Sequence, residues 1–164
     1  MSIGSRYIEL FGGLTLVAGP RGLRAIDFHG ASGSAVTRHA AASSLLLEAE
    51  RQLREYFAGE RFVFDLELDP EGTPFQRAVW DAVAAIPYGE TRSYRDIATA
   101  VGRPKGFRAM GQANGRNPLP IVVPCHRVIN TGGALGGYGG GLDRKKTLLN
   151  LEQTHAHRYR KTTA

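Results

Sequence analysis

The chain has 164 residues, enough for one domain or for a small accessory domain joined to a slightly larger one. No apolar run approaches the ~20 residues of a membrane-spanning helix, and the N-terminus has no signal-peptide pattern, so we expect a cytoplasmic protein without a membrane partner. The single cysteine, Cys125, excludes an internal disulfide and a zinc site built on paired cysteines. Its thiol is therefore either an inert group in the protein core or a reactive group.

The net charge of +6 is unevenly distributed along the chain. Residues 1–72 contain 7 Lys/Arg and 10 Asp/Glu, a net charge of −3, whereas residues 73–164 contain 14 and 5, a net charge of +9. Basic residues confined to one half favour a polyanionic partner for that half, most often nucleic acid. A basic protein with no such partner fits the charge alone equally well.

The first half predicts strands and one helix. Residues 14–18 and 23–28 are short β-type runs on either side of the turn sequence Gly19-Pro20-Arg21-Gly22, which predicts a hairpin. Apolar residues recur at helical spacing over about 40–58, and the alternation over 62–69 predicts a half-buried strand. We find no chemistry in this half, and we expect His29 and His39 at the surface.

A domain boundary is predicted at the charged turn sequence 69–72, where the charge bias also changes sign. We expect an N-terminal α/β domain over 1–70 and a functional domain over 71–155. Residues 156–164 are predicted to form a basic, frayed tail.

The second half begins with two helix-capping patterns. Thr73 with Gln76, and Ser93 with Asp96, place a capping hydroxyl three residues before a side chain that reaches back. The second helix is predicted to close at Gly102, and Pro104 to open a basic helix running to about Asn114. Two helices joined by a short turn form a helix-turn-helix pattern, which also occurs in many proteins that never bind DNA.

The segment around Cys125 is flanked by two distinctive stretches. Residues 121–123 are β-type and apolar, and predict a buried strand that delivers Cys125 at its end. Seven of the ten residues from Gly132 to Gly141 are glycine, so this loop either brings its backbone close to a ligand or is simply flexible. A last helix is predicted over about 142–153.

A reactive thiol needs a proton acceptor or positive charge nearby, because a free cysteine has a pKa near ~8.5 and only the thiolate is nucleophilic. His126 and Arg127 follow directly, but neighbours on an extended strand point to opposite faces. An inert core thiol fits the composition alone at least as well.

The second half resembles the O6-alkylguanine-DNA alkyltransferases over about residues 73–153. The motifs that carry the resemblance occur in order and without gaps: 73–80 (TPFQRAVW), 86–91 (IPYGET), 108–111 (RAMG), 117–118 (NP), 124–129 (PCHRVI) and 137–142 (GYGGGL). The first half resembles the family's variable, ribonuclease H-like first domain only in its outline of strands and helix.

The resemblance implies an α/β first domain, a mostly helical second domain with a helix-turn-helix, and one reaction. Members remove an alkyl group from O6 of guanine, and often from O4 of thymine, in DNA by transferring it irreversibly to their own cysteine. The implied partner is double-stranded alkylated DNA, and the implied protein is a single-turnover monomer without a cofactor. It would be associated with the nucleoid when bound to DNA, and cooperative binding along DNA is left open.

The resemblance also assigns roles. Cys125 would be the nucleophile, His126 would take its proton through a water, and Glu152 would orient His126. Asn117 would tie the DNA-binding helix to the active-site segment, and Tyr94 would stabilise the charge left on the departing guanine.

The base must be flipped out of the duplex to reach the thiol, at a cost of a few kcal/mol. Arg108 resembles the finger that fills the vacated position. The backbone around Val128 would contact the base edge, and the Tyr138-Gly139 loop would supply N–H groups near O6. Further DNA contacts are expected from the same helix: Ala109, Gly111, Asn114 and Arg116.

Three features depart from the family pattern. Gly139 stands where some members have a serine whose hydroxyl addresses O6. The zinc ligands of some first domains are missing, so we predict no metal. Phe107 is bulky where small residues are commoner. Two other readings remain at this point, a non-catalytic protein that binds alkyl lesions and a thiol hydrolase, which would need an oxyanion site.

Overall fold

The computed structural model describes residues 3–28 and 40–163, and His29 and His39 lie outside that part of the chain. Contacts divide the chain into two compact units, Met1–Glu71 and Gly72–Ala164. Mixed α/β architecture is confirmed, with the sheet in the first unit and most of the helix in the second.

The first unit is an antiparallel sheet packed against one helix. Its strands are β1 (Gly4–Ile8), β2 (Leu14–Gly19) and β3 (Gly22–Asp27), in the order β1-β2-β3, and α1 is Ala40–Phe57. The predicted hairpin is confirmed, with Gly19 paired to Gly22, whereas β1 was not predicted. The core is formed by alternate strand residues and by one helix stripe: Leu14, Leu16, Leu23, Leu46, Ala49, Leu53 and Tyr56.

The strand predicted over 62–69 is wrong. That segment pairs with the sheet only at one bridge, Leu23 to Leu68. Gln52 of α1 explains the difference, because its buried side-chain amide binds both the N–H and the C=O of Asp65, each at 2.9 Å. The side chain thus satisfies backbone groups that a neighbouring strand would otherwise bind.

The second unit contains four helices: α2 (Pro74–Ala84), α3 (Tyr94–Ala100), α4 (Phe107–Gly115) and α5 (Leu142–Thr163). Both predicted capping boxes are present, at Thr73 and Ser93, and each contributes about 1 kcal/mol to its helix. Helices α3 and α4 form the predicted helix-turn-helix, although α4 begins at Phe107 rather than at Pro104. Two short parallel strands, β4 (Arg92–Ser93) and β5 (Val128–Ile129), complete the unit.

The strand predicted at residues 121–123 is also wrong. Ile121 has a φ of 75°, and the Val123 N–H donates to the Leu119 carbonyl at 2.8 Å, so the chain turns here. The Asn117 side chain holds this turn by binding the Val123 carbonyl and the Leu119 N–H. Ile121 and Val123 are buried as expected, but in a compact turn.

Helix α5 continues well beyond residue 153, where the prediction ended it. Ala156 is buried, and Tyr159 packs on Tyr88 with ring centroids 5.8 Å apart. This packing extends the helix through the expected tail to Thr163. In the described part of the chain, no helix is long and apolar enough to cross a bilayer, and no three His, Cys, Asp or Glu side chains cluster as metal ligands.

Candidate active site

Cys125 opens a 3-10 turn, Cys125–Arg127, that leads directly into β5. A 3-10 helix has three residues per turn, so successive side chains point about 120° apart. Cys125 is only 7% exposed and His126 is completely buried. The alternation of a strand therefore does not apply, and His126 and Arg127 can both reach one partner while Cys125 points elsewhere.

That partner is Glu152, on the buried face of α5. His126 Nε2 lies 2.7 Å from Glu152 Oε2. Arg127 donates from Nε to Oε1 at 2.8 Å and from its terminal nitrogen to Oε2 at 2.9 Å. The backbone N–H of Gly89 also donates to Oε1, at 3.3 Å. Burial by itself raises the pKa of Glu152, but its bonds to His126 and Arg127 lower that pKa to about 2.

His126 is neutral in this setting. Burial, helped by the positive charges of Arg127 and Lys145, lowers its pKa below the ordinary 6.5 although the Glu152 carboxylate raises it. Because Glu152 is ionised and can only accept, Nε2 carries the proton and Nδ1 presents a lone pair. Nδ1 is buried and has no protein partner within the described residues. His126 thus offers a base whose orientation is set by Glu152.

The Cys125 thiol is buried, with Asn117, Tyr138 and Lys145 among its neighbours. Burial raises its pKa, and this effect is partly offset by the nearby polar side chains of Asn117 and Tyr138 and by the positive charge of Lys145. Burial is the largest cause that raises the pKa of Tyr138, and the nearby Cys125 thiol is the second largest. The thiol is therefore protonated at neutral pH and needs a base before it can react.

Tyr94, the first residue of α3, lies between two glycines. A Cβ at Gly136, in the glycine-rich loop, would lie 3.1 Å from the Tyr94 hydroxyl, and one at Gly111 of α4 would lie 3.8 Å from the ring. Burial and the nearby Cys125 raise the pKa of Tyr94. The ring thus links the helix-turn-helix, the glycine-rich loop and the thiol.

Lys145 is fully buried on α5, on the same face as Glu152. Its ammonium group donates to the carbonyls of Val128 at 2.7 Å, of Gly137 at 3.2 Å and of Leu135. Burial lowers its pKa to about 8. One side chain therefore fastens the glycine-rich loop to β5 beside Cys125.

Family models match both units of the chain. The 6-O-methylguanine DNA methyltransferase DNA-binding domain matches residues 74–154, and the ribonuclease-like domain of the same family matches residues 7–70. The chain belongs to the 6-O-methylguanine DNA methyltransferase family.

Similar proteins agree with that assignment. The methylated-DNA–protein-cysteine methyltransferase of Mycolicibacterium paratuberculosis is 62% identical over 108 residues, which cover 66% of each chain. The constitutive enzyme of that name from Bacillus subtilis is 62% identical over 109 residues, again 66% of each chain. The alignments thus span slightly less than two thirds of these relatives.

Solved structures match over a longer range. The crystal structure of Mycobacterium tuberculosis O6-methylguanine methyltransferase is 43% identical, with a TM-score of 0.80 over 93% of this chain and 94% of that chain. The Mycobacterium tuberculosis OGT structure in complex with DNA is 48% identical, with a TM-score of 0.81 and the same coverage.

The residues predicted to contact DNA lie on two faces of α4 and at its C-terminal end. Arg108, Ala109 and Arg116 are exposed and free to meet a partner. Asn114 lies on the buried face and donates from its amide to the Cys125 carbonyl at 3.5 Å. Gly111 is half-buried against Tyr94.

The backbone of Val128 is already engaged. Its N–H donates to the Cys125 carbonyl, and its carbonyl accepts from Lys145. A Cβ at Gly139 would be 4.0 Å from its nearest neighbour, the Gly115 carbonyl oxygen. The surroundings therefore leave room for a side chain at this position.

Sequence reasoning missed two residues of the candidate site, Arg127 and Lys145. Lys145, Leu148, Glu152 and Ala156 recur at spacings of three and four, which predicts one buried helix face containing two charges. That pattern could have identified Lys145. The pairing of Arg127 with Glu152, 25 residues away, has no local signal.

Proposed function

We propose that Cys125 accepts an alkyl group directly from O6 of guanine in DNA, so that the chain reverses alkylation damage in one irreversible turnover. The observation that carries the proposal is a cysteine, Cys125, followed directly by His126, whose ring is held by Glu152, in a family whose relatives are named for methyl transfer to cysteine. The chain binds DNA through its second unit, which matches the family's DNA-binding domain.

The chemistry begins with the thiol proton. His126 Nδ1 keeps its lone pair because Nε2 carries the ring proton and binds Glu152. Nδ1 therefore takes the thiol proton through a water. The Cys125 sulfur then attacks the alkyl carbon, the S–C bond forms and the C–O6 bond breaks with its electron pair moving to guanine. Guanine recovers one proton, so the proton lost by the thiol balances the one gained by the base.

Tyr94 and the glycine-rich loop stabilise the leaving group in this proposal. Tyr94 donates its hydroxyl proton toward the base, which suits a phenol whose raised pKa keeps it protonated. The N–H groups near Tyr138 and Gly139 face O6 as negative charge develops there. Asn117 holds the turn that precedes Cys125.

Recognition depends on the exposed face of α4. Arg108 enters the base stack and occupies the place of the flipped nucleotide, while Ala109 and Arg116 contact the backbone. We place the protein in the cytoplasm at the chromosome, acting as a monomer. Residues 71–155 provide the transfer activity, and O4 of thymine is a second substrate.

The deciding experiment is a stoichiometric transfer assay with mass mapping. Purified protein mixed with a duplex containing O6-methylguanine should gain one methyl group on the peptide that contains Cys125. Cys125→Ala should abolish transfer and keep DNA affinity. Binding of the lesion without any covalent change would instead support a non-catalytic lesion-binding protein, and repeated turnover of a nitrophenyl ester would support a thiol hydrolase.

A further inference from the structure

The start of α4 carries a large, exposed aromatic side chain. Phe107, the first residue of α4, is 48% exposed. In the described part of the second unit, Leu142 at 49% is the only other exposed large apolar side chain. A single exposed apolar side chain is ordinary at a protein surface, so the groups around Phe107 decide whether it has a partner.

The surroundings of Phe107 indicate what that partner is. Arg103, Lys105 and Arg108 are exposed on either side of it. No Asp or Glu occurs between Asp96 and Asp143. An aromatic ring among cations, with no acidic residue nearby in sequence, fits a nucleobase flanked by phosphates.

Helical geometry aligns Phe107 with the reaction pocket. Phe107, Gly111 and Asn114 lie at positions i, i+4 and i+7 and therefore share one face of α4. Gly111 packs against Tyr94, and Asn114 binds the Cys125 carbonyl. Phe107 stands about 10 Å from Asn114 along the helix, seven residues at ~1.5 Å each. It is thus at the outer end of the face that leads to the thiol.

We propose that Phe107 is a stacking platform for the base exposed when the target guanine leaves the duplex. Arg108, about 100° around the helix, fills the gap, while the Phe107 ring covers the base pair beside it. The inference rests on the proposed function and adds a residue to it. It makes Phe107 a determinant of reaction with duplex DNA and leaves the chemistry of the bond untouched.

The test compares duplex DNA with the free base O6-methylguanine, using single-turnover rates. Phe107→Ala should slow transfer from the duplex about 10- to 100-fold, the usual effect of losing one aromatic stack, and leave the free-base rate unchanged. Phe107→Trp should retain the duplex rate, whereas Phe107→Leu should recover little of it. Leu47→Ala, which removes an apolar side chain that is 54% exposed on α1 in the first unit, is the control and should match the wild type.

Two results would overturn the stacking role. The first is a Phe107→Ala protein whose transfer rate with the duplex equals that of the wild type, or whose rate falls equally with the duplex and with the free base. The second is a Phe107→Leu protein with the full wild-type rate on the duplex. Affinity for a duplex with an abasic site, which cannot be alkylated, provides a readout without chemistry. If the wild type transfers no methyl group, the proposed function fails, while a lower abasic-site affinity of Phe107→Ala still supports the stacking role.

Discussion

Arg127 binds both carboxylate oxygens of Glu152. His126, the residue before it in the same turn, binds one of these oxygens as well. Arg127 also donates to the Ile86 carbonyl at 2.6 Å, and its guanidinium lies 5.6 Å from the ring centre of Tyr88. The buried carboxylate is therefore neutralised by arginine, which leaves the histidine free to remain neutral and act as a base.

Arg127→Met should destabilise the protein strongly, because it leaves Glu152 buried without its cation. We expect the free energy of unfolding to fall by about 3–5 kcal/mol, measured by urea denaturation. Arg51→Met is the control, since Arg51 also bridges two glutamates but is 56% exposed, and it should cost at most ~1 kcal/mol. If the free energy of unfolding fell by a similar amount in the two variants, the buried Arg127–Glu152 pair would stabilise the protein no more than an exposed ion pair does.

Stability should fall as the pH is lowered from about 4.5 to about 2. Glu152 has a folded pKa of about 2 against 4.5 unfolded, so its contribution is complete above pH 4.5 and is lost as protons bind. The full effect is on the order of 3 kcal/mol. Unfolding measured across this range should show a shallower slope in Glu152→Gln than in the wild type. An unchanged slope would mean that other carboxylates cause the loss.

Lys145→Met should loosen the glycine-rich loop. Three carbonyls, those of Val128, Leu135 and Gly137, would lose their shared donor, and the unsatisfied groups would favour an open loop. Hydrogen exchange of the amides in residues 133–141 should become faster, and methyl transfer slower. Lys146→Met removes an exposed charge one residue away and should change neither quantity. Unaltered exchange in Lys145→Met would contradict its role as a fastener.

Gly139→Ser should be tolerated and should increase the rate of transfer. The added Cβ has room, and the hydroxyl supplies a donor where O6 is expected, so stability should change by less than ~0.5 kcal/mol. Gly136→Ser is the contrasting variant, because its φ of 69° and its approach of 3.1 Å to Tyr94 predict strain and a slower reaction. If Gly139→Ser and Gly136→Ser changed the stability and the transfer rate equally, the position of the serine in the loop would not matter.

Arg108→Ala should weaken reaction with duplex DNA far more than reaction with the free base. Arg108 is exposed on α4 and acts on the flipped state, so the chemical step at Cys125 should keep its rate. Because phosphate contacts from the basic unit dominate affinity, binding by the wild type should fall steeply with salt. Equal losses on both substrates, or salt-independent binding, would count against this assignment.

The sequence alone determined the features that depend on near neighbours. The capping boxes at Thr73 and Ser93 join residues three apart, and the helical spacing in α1 follows from the geometry of one helix. The motif order around Cys125 likewise indicates the family without any knowledge of the fold. Such signals are local, so they survive without knowledge of tertiary contacts.

Only the tertiary structure decided how the distant parts meet. Residues 121–123 have the composition of a strand, but Asn117 binds the backbone there and favours a turn. Residues 62–69 alternate like a strand, but Gln52 binds the backbone of Asp65. Arg127 and Lys145 find partners up to 41 residues away. Long-range bonds that satisfy buried polar groups outweigh local preference, and no pattern of neighbouring residues encodes which distant group will be the partner.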